Sequence, residues 1–186
     1  MDPDPFDWNA FFEELSGGSE RACAVVGAAI LDASLEELLR SYLVGDLAEL
    51  NNLLKSDHDF APLRDFGSRI TCAYLLGAID ANVMHDLRKI KDARNLFSHS
   101  ERGLSFGDNA IKKIILKLKT PDMMTSAAVK ATGIPQPSPA PRARFVWTVV
   151  MLIGYLRERS RTLGAVRLKP APEFRVTVEM TKRRDG

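Results

Sequence analysis

Ten consecutive residues, Ala22 to Leu31 (ACAVVGAAIL), carry no charge. The run falls short of the ~20 apolar residues that a helix needs to cross a bilayer, so it is not read as a membrane span. It is apolar on every side of a helix, which places it at the centre of a bundle. Ser19, just after Gly17-Gly18, is positioned to cap a helix running to about Val44. The small residues Ala24, Gly27, Ala28 and Ala29 let neighbouring helices approach closely, while Leu35, Leu38, Leu39, Tyr42 and Leu43 continue the core. Asp32 interrupts this apolar surface and is either a buried carboxylate with a cationic partner or a side chain turned to solvent.

The rest of the chain supplies helices to surround that element. Phe11, Phe12 and Leu15 lie on one side of a short helix before Gly17, and Asp46 with Glu49 forms a capping-box pattern for a helix through Leu54. Ser68 is a candidate cap for RITCAYLLGAI. Ile111, Ile114, Ile115 and Leu118 share a helical side, as do Val146, Val149, Val150, Ile153 and Leu156 within Arg142 to Leu163. Residues 132–141 hold Pro135, Pro137, Pro139 and Pro141, a connection that cannot be helical. The fold class predicted is all-α, one domain over residues 1–186, with the Ser19 helix between Arg69–Ile79, Asn82–His99 and Arg142–Leu163. In the tail, 165–186, Phe174, Val176, Val178 and Met180 alternate with Arg175, Thr177 and Glu179 at the period of a strand, which either pairs with another segment or stays mobile.

The 186 residues carry a formal charge of +2, too close to neutral to announce nucleic acid, but the charge is uneven. Residues 1–20 contain six acids (Asp2, Asp4, Asp7, Glu13, Glu14, Glu20) and no Lys or Arg. The tail is basic, with Arg167, Lys169, Arg175, Lys182, Arg183 and Arg184 against Glu173, Glu179 and Asp185. Cys23 and Cys72 sit in apolar helical stretches and read as reduced core residues. The start, MDPDPFDW, has neither the basic opening nor the apolar run of a signal peptide, so a cytoplasmic protein without a membrane partner is expected.

Candidate chemistry centres on NVMHDLRKIKDARNLFSH, Asn82 to His99. Val83, Leu87, Ile90 and Phe97 fall on one helical side, and Arg94 occupies the missing position of that stripe. A guanidinium there must be paired, reach water or sit at a subunit seam. Asp32 is the first candidate for its partner. Arg94, Asn95 and His99 together form Arg-Asn-x-x-x-His, which resembles the arginine-then-histidine signature of the HEPN superfamily of helical bundles. The bland alternative is an Arg–carboxylate pair and a histidine that suits the negative end of a helix dipole. Lys112, Lys113, Lys117 and Lys119 line the outer side of the next helix, where they either track nucleic-acid phosphates or are simply solvated. Asp57-His58-Asp59 lacks a second histidine at ligand spacing, so no metal is expected; no Gly-rich phosphate loop, nucleophile elbow or Cys-x-x-Cys implies a cofactor either.

Three stretches in order, ERACAVVGAAILDASLEELLRSYL, PLRDFGSRITCAYLLGAID and HDLRKIKDARNLFSHS, resemble the mannitol operon repressor family over roughly residues 10–120. The resemblance implies a HEPN-like helical bundle and a role in transcription regulation. Direct DNA reading would need a reading helix, and the best spacing, Ala73–Gly77–Val83, puts Asp86 at an apolar packing position and Asp86 and Asp92 toward phosphates. Regulation through a protein partner or RNA is therefore the reading adopted, with a homodimer expected.

The alternative is a metal-independent ribonuclease. There His99 would act as general acid or base while Arg94 stabilises charge on phosphorus. Residues five apart on a helix point about 140° from each other, so such a site would be shared across a two-fold. Incubating the purified protein with RNA in chelator separates the two classes. The regulator leaves RNA intact; cleavage that disappears in both His99→Ala and Arg94→Ala would overturn that reading in favour of the nuclease.

Overall fold

A computed structural model describes residues 11, 13, 15, 17–55, 61–100, 103–123 and 139–172. Helix α1 spans Glu20–Tyr42, α2 Leu47–Leu54, α3 Phe66–Leu75, α4 Ala81–His99, α5 Asn109–Ile115, α6 Thr120–Met123 and α7 Pro141–Gly164. No strand occurs among the described residues, as the all-α reading requires. The strand-like segment 174–180 lies outside them, as do the Asp57-His58-Asp59 cluster and most of the Pro-rich connection.

Side-chain caps start most of the longer helices where the sequence changes character. Ser19 accepts from the Ala22 N–H, Asp46 from Glu49 and Asp80 from both Asn82 and Val83, each quenching amides that the first helical turn leaves open. Three boundaries differ from expectation. The cap of α3 is Asp65, not Ser68; its carboxylate accepts from the Ser68 N–H at 3.0 Å, so the helix begins three residues before the arginine that opens RITCAYLLGAI. It also stops early, because Gly77 takes a left-handed backbone (φ 68°) that turns the chain toward α4. At the other end of the molecule, Pro141 belongs to α7 as its first residue, where a missing N–H costs nothing.

The core is organised around α1, whose most extensive packing is against α7, followed by α4 and α3. Gly27 permits the closest approach: a β-carbon there would sit 3.3 Å from Val149 Cγ1 and 3.5 Å from Phe145. The helix is not enclosed on every side, however. Ala22, Ala29, Ala33 and Glu37 form an exposed strip, which is tolerable because alanine leaves little apolar surface in water. From the loop after α4, Phe106 inserts as a fully buried plug, its ring 4.9 Å from Phe97 of α4 and 5.0 Å from Phe145 of α7. Glu20, in the first turn of α1, accepts the Phe106 N–H at 2.7 Å and holds the plug in place.

Arginines fasten the irregular segments to this core. Arg144 of α7 donates to the carbonyls of Ile115 and Leu118 and pairs with Asp122, tying down the α5–α6 corner. Arg159 donates to the Ala78 carbonyl in the α3–α4 turn and is half-buried. Beyond α7 the chain returns to the end of α1: Leu168 N–H donates to the Tyr42 carbonyl, and Arg167 to Leu43 and Gly45. The first part of the basic tail thus satisfies carbonyls that the helix terminus leaves open.

Asp86 is the deepest acid. It is fully buried in α4 and accepts from the main-chain N–H groups of Lys119 and Thr120 and from the Thr120 hydroxyl at 2.6 Å. A buried carboxylate is stable when such donors replace its water. Asp86→Ala strands those donors and is expected to lower the free energy of unfolding by about 3 kcal/mol, read by urea denaturation. A loss under ~0.5 kcal/mol would mean that the α4–α6 contact holds without it.

Candidate functional site

The polar interruptions of α1 and α3 meet. Asp32 and Glu36, one turn apart on α1, both face Arg69, which stands on the buried side of α3 between Phe66, Ile70 and Ala73. Arg69 Nη1 lies 2.7 Å from Asp32 Oδ1, while its Nη2 lies 2.8 Å from Glu36 Oε2 and 2.5 Å from the Leu54 carbonyl that ends α2. Arg40 extends the cluster by pairing with Glu36 at 2.8 Å. Arg69 is only 5% exposed, and its Nε is buried without a hydrogen-bond partner. Burial pushes the Asp32 carboxyl above its ordinary value; the hydrogen bond and charge of Arg69 pull it back, and Arg94 adds a weaker pull in the same direction.

Asp32 is therefore hydrogen-bonded to Arg69, not to Arg94. The apolar stripe of α4 explains the difference. Its buried members are Val83, Asp86, Leu87, Ile90, Ala93 and Phe97, so the position that the spacing left vacant is filled by Ala93, and Arg94 falls on the flank. Half-buried there, Arg94 donates to the Asn95 side chain at 3.0 Å. The same test that singled out Arg94, a guanidinium in an apolar helical stripe, picks out Arg69 with equal force.

Arg94 and Asn95 do share a site with Asp32. With Lys91 of α4 and with Arg64, Asp65, Phe66 and Gly67 at the start of α3, they line an open cleft of about 480 Å³. Gly67 makes room for the lysine, since a β-carbon there would lie 3.1 Å from Lys91 Nζ. Asp65 is held below the usual carboxylate range, chiefly by its hydrogen bond from the Ser68 hydroxyl, so its charge persists beside these cations. His99 is not part of this lining; it is exposed in the last turn of α4. Lys112, Lys113, Lys117 and Lys119 are exposed and line none of the cleft, although Lys119 Nζ donates to Asn82 and the Lys117 carbonyl bonds the ring of His85.

The geometry is an open cleft in which Arg64, Lys91 and Arg94 stand beside Asp65 and Asp32, next to an ion cluster centred on buried Arg69, in a single-core all-α bundle. Solved structures share that fold. One is the mannitol operon repressor MtlR of Escherichia coli, seen in complex with HPr: 23% of residues are identical, the match covers 80% of this chain and 96% of that one, and the TM-score is 0.60. Another is YggD, a possible transcriptional regulator of Shigella flexneri 2a str. 2457T, with 17% identity, 83% and 99% coverage and a TM-score of 0.62. The all-α helical bundle that the sequence resemblance implied is thus observed. No protein-family model matches the chain, and no curated protein does.

The buried cluster should show in stability as an asymmetric pair of substitutions. Arg69→Ala removes the donor to two acids and to the α2 terminus, and an unfolding loss of about 3 kcal/mol is expected. Asp32→Ala leaves Glu36 on the guanidinium and should cost about half as much. Equal losses in urea titrations would show that Glu36 contributes nothing.

Proposed function

We propose that this chain is a transcription regulator that works by holding a protein partner. The observation that carries the reading is the match, over most of both chains, to a repressor solved in complex with HPr. Packing adds support. In the α3-turn-α4 unit, Val83, Leu87 and Ile90 of α4 are buried in the core and Asp86 is occupied by the α6 backbone, so that side of the helix is not available to enter a major groove. Neither neighbour is described as a nuclease, and within one chain exposed His99 lies outside the Arg94 cleft, so the ribonuclease alternative would need the two residues brought together across a two-fold.

Isothermal titration of the purified protein with HPr, alongside gel shifts on duplex DNA from the neighbourhood of its own gene, tests the proposal. Saturable binding of HPr with a micromolar dissociation constant, and no salt-resistant sequence-specific DNA complex, is the expected result. Tight, sequence-specific DNA binding by the protein alone would overturn it.

A further inference from the structure

The Arg94 cleft does not end at Lys91. Asp65, Gly67 and Lys91 also line a second, larger hollow of about 740 Å³, so the two form one groove along the outer side of the α3–α4 hairpin. Helical spacing accounts for its walls. Phe66, Arg69, Ile70 and Ala73 turn the inner side of α3 into the core, which leaves Ser68, Thr71, Cys72 and Leu75 on the opposite side. Lys91 and Arg88 of α4 face them one turn apart, with Arg88 reaching the Thr71 hydroxyl at 3.4 Å.

The groove is polarised along its length. Its far part is apolar, built by Leu63, Cys72, Leu75 and Leu76, and Leu75 is 77% exposed. Its near part and rim carry Arg64, Arg88, Lys91 and Arg94, none of which is in an ion pair with a described residue. The acids beside them are already engaged, Asp65 by the start of α3 and Asp32 by Arg69. An apolar floor edged by cations that are in no ion pair with a described residue fits one occupant by charge and shape, an amphipathic protein segment that presents Leu-like side chains on one side and carboxylates beside them.

We propose that the α3–α4 groove is the docking surface for an acidic amphipathic segment of a protein partner. This rests on the protein-contact reading above but names its place and chemistry. Leu75 and its neighbours seat the apolar side; Arg88 and Lys91 select carboxylates and raise the rate of encounter.

The test uses fluorescein-labelled amphipathic peptides of about 15 residues with Leu at i, i+3, i+4 and i+7. In one the remaining positions are Glu, in the other Lys, and binding to the full chain is read by fluorescence anisotropy. The Glu/Leu peptide should bind at least about tenfold more tightly than the Lys/Leu peptide, and rising salt should weaken it. Arg88→Glu with Lys91→Glu should reverse the preference, and Leu75→Ser should weaken the Glu/Leu peptide roughly tenfold. Leu75 and Arg88 are exposed and Lys91 is half-buried at the groove's edge; thermal unfolding is read alongside and should stay unchanged, so that loss of fold is not mistaken for loss of binding. Equal binding of both peptides, or variants without effect, overturns the proposal. So does sedimentation showing a dimer that Leu75→Ser dissolves, since a second copy would then be the occupant. HPr binding that persists in the variants sinks the groove and leaves the regulator reading standing; peptide binding without HPr binding does the reverse.

Discussion

Everything in the molecule is arranged to cover α1. A helix whose residues 22–29 are alanine, valine and glycine apart from Cys23 gains little there from large side chains of its own, so its neighbours must come close and supply the volume. Gly27 against Val149 and Phe145 is where that demand is sharpest, and α7 answers it with a run of buried Val, Leu and Ile. The exposed alanine strip on the opposite side is the counterpart. Small residues are inexpensive in water, so a central helix need not be enclosed.

Packing one helix so tightly leaves the connecting segments with main-chain groups that need partners, and the chain meets the need with long polar side chains. Arg144, Arg159 and Arg167 each reach a carbonyl in a turn or at a helix end, while Asp86 and Glu20 do the same for N–H groups. These contacts join positions far apart in the sequence. The arginine planes offer several donors in fixed directions, which is why Arg rather than Lys fills the role.

That division explains what could be read without coordinates. Helices set by spacing were legible, as were the caps Ser19 and Asp46, because periodicity and capping are local. Arg94 was misplaced by a single position because steps of 3 and 4 along α4 admit either Ala93 or Arg94 between Ile90 and Phe97. Choosing between them needs to know which side meets α1. Asp86 was read as an obstacle to DNA reading although its donors lie 33 and 34 residues away, and Phe106 was passed over in a glycine-rich loop although it fills the core between α4 and α7. For the site, Asp32 reads as either a buried carboxylate or one turned to solvent; it is half-buried, and its guanidinium comes from α3. Nothing local separates the merits of Arg69 and Arg94 as partners; only the packing of α3 against α1 does.

Two groups of arginines and lysines therefore stand apart in their physics. One group is consumed by the fold, on carbonyls and buried acids. Arg64, Arg88, Lys91 and Arg94 form the other, gathered along one groove in no ion pair with a described residue, while the nearby Asp65 and Asp32 are hydrogen-bonded elsewhere. Like charges within a Debye length repel, so the fold draws no stability from crowding them, and exposed pairs would have added little had acids been supplied. Beside the apolar surface of Leu63, Leu75 and Leu76, the same charges acquire value only when a carboxylate-bearing surface displaces their water. That makes the groove a place where binding energy is held in reserve, and it lies directly above the Asp32–Arg69–Glu36 cluster that keeps α3 rigid against α1. Fixing α3 from beneath keeps its outer side in register with Arg88 and Lys91, so a partner meets a preformed surface and loses little affinity to ordering it.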